Sequence, residues 1–146
     1  YSAPFNAILY STKLIKKIGY PKKEMFIWGD EINYTQRSIA VGAIPITVIA
    51  AIHRHPQDRM NCKTFCGIHV VQIEQRWKAF FYYRNTVYNY VRKYSLWGRV
   101  KYQIGQYIYL ILSKQSLKWI QTFYEAYSDG FVGDFSRTEQ YRNLIR

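Results

Sequence analysis

Pro45-Ile46-Thr47-Val48-Ile49-Ala50-Ala51-Ile52 is a nearly continuous apolar run of strand length, rich in β-branched residues. A run with no polar stripe on either side is what a strand buried on both faces requires. Upstream, Gly42 closes a helix predicted over residues 30–41, with Asp30 and Glu31 in its first turn, where the helix dipole favours negative charge. Met25-Phe26-Ile27-Trp28 is a short extended run into Gly29. Ser11 caps a predicted helix carrying Leu14, Ile15 and Ile18, stopped by Gly19 and Pro21, and Phe5 to Leu9 reads as the end of a strand. Strand and helix alternate, which predicts an α/β domain with helices covering a sheet.

From about Asn61 the pattern changes. Ile73, Trp77, Phe80, Phe81, Tyr88 and Val91 keep helical spacing, and further helices are predicted over residues 96–112 and 116–127. Asp129-Gly130 and Gly133-Asp134 are expected to break the pattern, leaving a short or frayed helix at 136–146. The chain thus divides into residues 1–60 and a basic, aromatic helical region, residues 61–146.

Composition sets the outer limits. Of 146 residues 49% are hydrophobic and 21% charged, which predicts a globular chain. The sequence starts at Tyr1 with residues that already read as ordered, as expected of a piece of something longer or of a processed N-terminus. No apolar run approaches the roughly 20 residues of a spanning helix. Cys62 and Cys66 make a lone CxxxC pair, which fits free thiols in a reducing compartment such as the cytoplasm.

Charge is more informative. Lys and Arg number 21 against 9 Asp and Glu, a formal charge of +12, and no acid occurs from Gln75 to Tyr124. Such a surface attracts phosphates of lipid, nucleic acid or a nucleotide-linked substrate. Tyr and Trp sit beside Lys and Arg from Trp77 to Trp119, a composition suited to the interface of an anionic bilayer. The same composition serves nucleic acid, where aromatics stack on bases, so a non-enzymatic nucleic-acid module is the alternative function.

Asp30 and Glu31 are the chemical candidates. Adjacent carboxylates at a loop-to-helix junction can divide labour: one orients a hydroxyl while the other takes its proton. Two acids in a first turn also serve simply as capping charges. Trp28 can stack on a sugar ring or pack in the core. Arg37 can pin Asp30 or Glu31, or face solvent.

The order of these pieces carries a resemblance. Phe5-Asn6-Ala7, Ile15-Lys16-Lys17-Ile18-Gly19-Tyr20-Pro21, Met25 to Tyr34 with Arg37, and Ile52-His53 are colinear with one known stretch. They resemble the C-terminal half of the catalytic domain of family 2 inverting glycosyltransferases, especially rhamnosyl- and galactofuranosyltransferase-like members. Phe81-Tyr82-Tyr83-Arg84-Asn85 and Asp129-Gly130-Phe131-Val132-Gly133 are similar to two later motifs of that group.

The resemblance implies the C-terminal part of a GT-A-type nucleotide-sugar transferase domain, its acceptor side in residues 1–60, followed by helices. It implies that Glu31 or Asp30 is the catalytic base, and that Asn6, Trp28 and Arg37 face the substrate. It also implies that His53, with His55 as a rival, helps hold Mg²⁺ or Mn²⁺ on the donor diphosphate. Glu31 stands where the family has Asp, and Asn33 where it has a further acid. The partners implied are a nucleotide-sugar donor and a glycan or lipid-linked acceptor, used in cell-surface polysaccharide synthesis at the inner face of the membrane. No Asp-x-Asp and no Gly-rich phosphate loop occurs in the sequence, so the chain alone is expected to be inactive. His53, His55, Cys62, Cys66 and His69 form a competing His/Cys set, but their spacing fits no common zinc finger.

Overall fold

The structure, a computed structural model, describes residues 7–54, 61–65 and 68–145. Its longer elements are helical: α1 (Thr12–Ile18), α2 (Asp30–Ala40), α3 (Arg76–Asn89), α4 (Leu96–Leu112), α5 (Leu117–Val132) and α6 (Thr138–Arg142). Two strands, β1 (Asn61–Phe65) and β2 (Ile68–Gln72), pair antiparallel with Cys62 opposite Val71 and Thr64 opposite His69. This ribbon is the one sheet among the described residues.

The expected α/β domain of GT-A type is therefore corrected. A GT-A domain needs a central sheet, and the described residues form a helical assembly with a single ribbon. The run from Pro45 to Ile52 is irregular and exposed, with Ile49 95% accessible and Ile44, Ile46 and Ile52 nearly as open. A strand is stable only when a neighbour satisfies its N–H and C=O groups. No other strand among the described residues pairs with this run, so its β-branched composition does not become a strand. The ribbon replaces the helix expected from Asn61, and Leu9, placed at the end of a strand, is irregular and exposed.

Several helix boundaries follow the local signals. Ser11 caps α1, its Oγ accepting from Leu14 N at 3.2 Å, and Gly19 ends it at φ +73°. Ser95 caps α4 by accepting from Gly98 N at 3.2 Å. Helix α5 runs through Asp129-Gly130 instead of breaking there, and ends at Gly133, φ +82°, whose N–H donates to Asp129 O at 2.8 Å. A mid-helix glycine weakens a helix by only about 1 kcal/mol, which packing readily outweighs.

Helix α3 is the centre of the core. Ala79, Phe80, Phe81, Tyr83 and Val87 are buried, so this helix is enclosed on nearly all sides rather than on one stripe. Phe80 stacks on Tyr141 with centroids 3.7 Å apart, and Phe123 of α5 meets Tyr83 edge-on at 5.0 Å and Tyr107 at 4.9 Å. Full burial of each large side chain contributes roughly 1.5–3 kcal/mol. Asp129, buried in α5, pairs with Arg137 ahead of α6.

The α3–α5 crossing is close because of one residue. A Cβ at Gly130 would lie 2.4 Å from Arg84 O and 2.8 Å from Val87 Cβ, and the first of these is backbone. Gly130→Ala must push the helices apart. It is expected to cost about 3 kcal/mol, a fall in Tm of roughly 10 °C read by circular dichroism. An unchanged Tm would show that the crossing is not close-packed.

Candidate functional site

The segment from Met25 to Gly29 is held in an unusual shape. Phe26 has φ 64°, ψ −63°, and Ile27 N donates to Met25 O at 2.8 Å, a γ-turn of the rare positive-φ kind. Trp28 has φ 56° and Gly29 φ 97°. Positive φ at a bulky aromatic is costly and persists only where the surroundings over-determine it. Here the surroundings are α3.

Asn85 Nδ2 lies 2.9 Å from Met25 O, 2.9 Å from Ile27 O and 2.7 Å from Trp28 O. An amide has two hydrogens, so three carbonyls share them and at least one bond is bifurcated. Its Oδ1 accepts from Arg84 Nε at 3.1 Å. The fully buried Arg84 guanidinium also donates to Glu24 O at 2.7 Å and Thr138 Oγ1 at 2.9 Å, and lies over the Phe135 ring at 4.7 Å. Burial lowers its pKa to about 10, so it remains charged at neutral pH. One turn on, Asn89 Nδ2 donates to Gly29 O at 2.8 Å, and Asn33 Nδ2 donates to Asn89 Oδ1 at 3.4 Å. A Cβ at Gly29 would meet Asn89 Nδ2 at 3.0 Å and Asn85 Cβ at 3.1 Å, so the space is tight, and φ +97° is a conformation that favours glycine.

Glu31 sits in the first turn that this loop launches. Its Oε2 accepts from Gly29 N at 3.0 Å, closing the helix start. The carboxyl pKa is raised, first by burial and second by a hydrogen bond with the Asp30 carboxyl. A shallow pocket of about 120 Å³ opens beside it, walled by Trp28, Glu31, Ile32, Tyr82, Asn85 and Tyr90. Trp28 meets Tyr82 edge-on at 6.2 Å. The Tyr90 phenol is pushed up by burial and then by the nearby Glu31 charge. A carboxyl with a raised pKa beside aromatic faces is equipped to take a proton from a hydroxyl on a ring stacked there.

Trp28, Asp30 and Glu31 are thus together. Arg37 is turned elsewhere: its guanidinium donates to Ile18 O and, at 3.0 Å, to Tyr20 O, tying α2 to the end of α1. His53 is exposed on the irregular segment after α2. Asn6, His55 and Cys66 lie outside the described residues. Among the described residues no three His, Cys, Asp or Glu side chains gather as a metal site. Sequence reasoning assigned no role to Arg84, Asn85 or Asn89. Their signal was available: polar residues embedded in an aromatic helix, with Asn85 and Asn89 one turn apart on one face.

Comparison with known proteins adds a relationship. The chain is similar to galactofuranosyltransferase GlfT1 of Mycolicibacterium smegmatis, 29% identical over 86 residues. It is 34% identical over 86 residues to the protein of that name in Mycobacterium tuberculosis. The aligned stretch is 58% of this chain and 28% of those relatives' length. No protein-family model matches the chain, and no solved structure does. The chain is related to glycosyltransferases over that stretch.

The raised Glu31 pKa has a definite pH signature. A carboxyl whose folded pKa exceeds its unfolded value holds an extra proton in the native state between the two, so its contribution to stability declines as pH rises through that window. Glu31→Gln keeps an acceptor for Gly29 N and removes the titration. Its Tm relative to wild type should therefore climb as pH rises from the ordinary carboxyl range through the raised folded pKa, and level off above it. A difference that stays constant with pH would contradict the half-buried, raised carboxyl.

Proposed function

We propose that this chain carries the acceptor-activating part of a glycosyltransferase, with Glu31 as the base and Asp30 as its orienting partner. The observation that supports this most is the convergence of a raised carboxyl and the Trp28 and Tyr90 faces on one pocket, in a chain related to galactofuranosyltransferases. The acceptor ring lies against Trp28 with one hydroxyl toward Glu31. Glu31 takes that proton as the oxygen attacks the anomeric carbon of the donor, and the bond from that carbon to the nucleoside diphosphate breaks. A single in-line displacement of this kind inverts the anomeric centre.

The donor is a nucleotide-linked galactofuranose or a related sugar. The acceptor is a glycan or lipid-linked saccharide of cell-surface polysaccharide, extended on the cytoplasmic side. A divalent ion, Mg²⁺ or Mn²⁺, neutralises charge on the leaving diphosphate in such reactions. Of the described residues His53 is the candidate to reach it, and no step here depends on that contact.

The acceptor subsite can be tested on the chain itself. An alkyl galactofuranoside titrated into labelled protein should shift the amide resonances of residues 28–32, and Trp28→Ala should abolish the shifts. Where transfer is measured, Glu31→Gln should lower kcat by roughly 10²–10⁴-fold while leaving acceptor binding in place. Full activity of Glu31→Gln would remove Glu31 as the base.

A further inference from the structure

Helix α4 (Leu96–Leu112) presents two different faces. Its tyrosines, Tyr102, Tyr107 and Tyr109, turn toward the core around Phe123, and Trp119 of α5 does the same. The opposite side is open: Trp97 is 75% accessible, Ile104 52% and Ile111 61%, with Ile108 also exposed. These residues recur at intervals of three to four with Lys101 among them, which places them on one stripe along about four turns. The stripe ends in a lysine-bearing turn. Lys114 N donates to Ile111 O and Gln115 N to Leu110 O, both at 3.0 Å, leaving Lys114 at φ 53° in the position usually given to glycine. Leu112, Leu117 and Lys118 are exposed around that turn.

From this arrangement we infer that the outer stripe of α4, with the Lys114 turn, docks the protein on an anionic lipid bilayer. The aliphatic side chains enter the acyl boundary and Lys101, Lys114 and Lys118 meet phosphate headgroups. Charge selects this occupant. No acid occurs from Gln75 to Tyr124, so a second copy would set the same cations against themselves, whereas anionic headgroups complement them. Side-chain type selects it over nucleic acid. Along the stripe Trp97 is the single ring and the other apolar groups are aliphatic, whereas a strand of bases needs a series of stacking faces, and Tyr102, Tyr107, Tyr109 and Trp119 are packed inward. No described helix is long and apolar enough to cross a membrane, so the contact is one of lying on the surface. The inference rests on α4 and not on the Glu31 pocket, so either can fail without the other.

Co-sedimentation of the chain with vesicles tests it. Vesicles of equal parts phosphatidylglycerol and phosphatidylcholine should bring down most of the protein at low salt, and pure phosphatidylcholine vesicles little. Ile104→Ser/Ile108→Ser/Ile111→Ser and Lys101→Gln/Lys114→Gln/Lys118→Gln should each lower the bound fraction severalfold while keeping the wild-type circular dichroism and Tm, since all six positions are exposed. Tryptophan emission should shift to the blue on binding, and Trp97→Phe should lose that shift while still sedimenting. Wild-type binding by the triple Ser variant would overturn the proposal, as would equal binding to both vesicle types. So would a dimer in light scattering that this variant dissolves, or an oligonucleotide that binds the chain and is released by the same substitutions.

Discussion

The grip of Arg84 and Asn85 on the Glu24–Trp28 backbone is the constraint on which the rest depends. Two adjacent side chains on the central helix supply donors to four consecutive-to-near carbonyls, those of Glu24, Met25, Ile27 and Trp28. Both are buried, so losing either would orphan carbonyls without water to replace the bond, at about 1–3 kcal/mol each. The loop they hold contains positive φ at Phe26 and Trp28, a shape the local sequence does not favour. Strain in the loop and burial in the helix are therefore two sides of one arrangement. The site is shaped from behind by α3 rather than by its own residues.

That dependence extends outward. Arg84 can sit fully buried only because α6 delivers Thr138 and the segment before it delivers Phe135. The α3–α5 crossing that encloses it is close only because position 130 carries no side chain. Asn89 continues the same face one turn on and fixes Gly29, from which α2 and Glu31 begin. The aromatic core around Phe80, Phe123 and Tyr141 thus stands behind the half-buried Glu31 carboxyl. Helix α4 uses the same core on one side and leaves its aliphatic stripe on the other.

Local signals were the legible part of the sequence. Ser11 capped its helix, Gly19 and Gly133 ended theirs, and the acids at 30 and 31 marked the start of α2. The adjacency of Trp28, Asp30 and Glu31 was legible because it is consecutive in sequence. What failed depended on partners. An apolar run such as Pro45–Ile52 has the composition of a buried strand, but a strand exists only through pairing, and composition is silent on what pairs with it. The Arg37 side chain went to the carbonyls of Ile18 and Tyr20 because α1 ends there, a contact across 17 and 19 residues that no helical spacing indicates. Polar Arg84 and Asn85 stand out within an aromatic helix, but their partners lie about 60 residues away and are identified only once α3 is placed against the loop.

The most direct test of that placement is residue-resolved hydrogen exchange on Asn85→Ala beside the wild type. If α3 holds the site loop, amides from Met25 to Glu31 should lose protection in the variant, with Gly29 prominent, while the α3–α5 core keeps its own. Unchanged protection across Met25–Glu31 in a folded Asn85→Ala protein would contradict it, because the loop would then be holding its strained shape unaided.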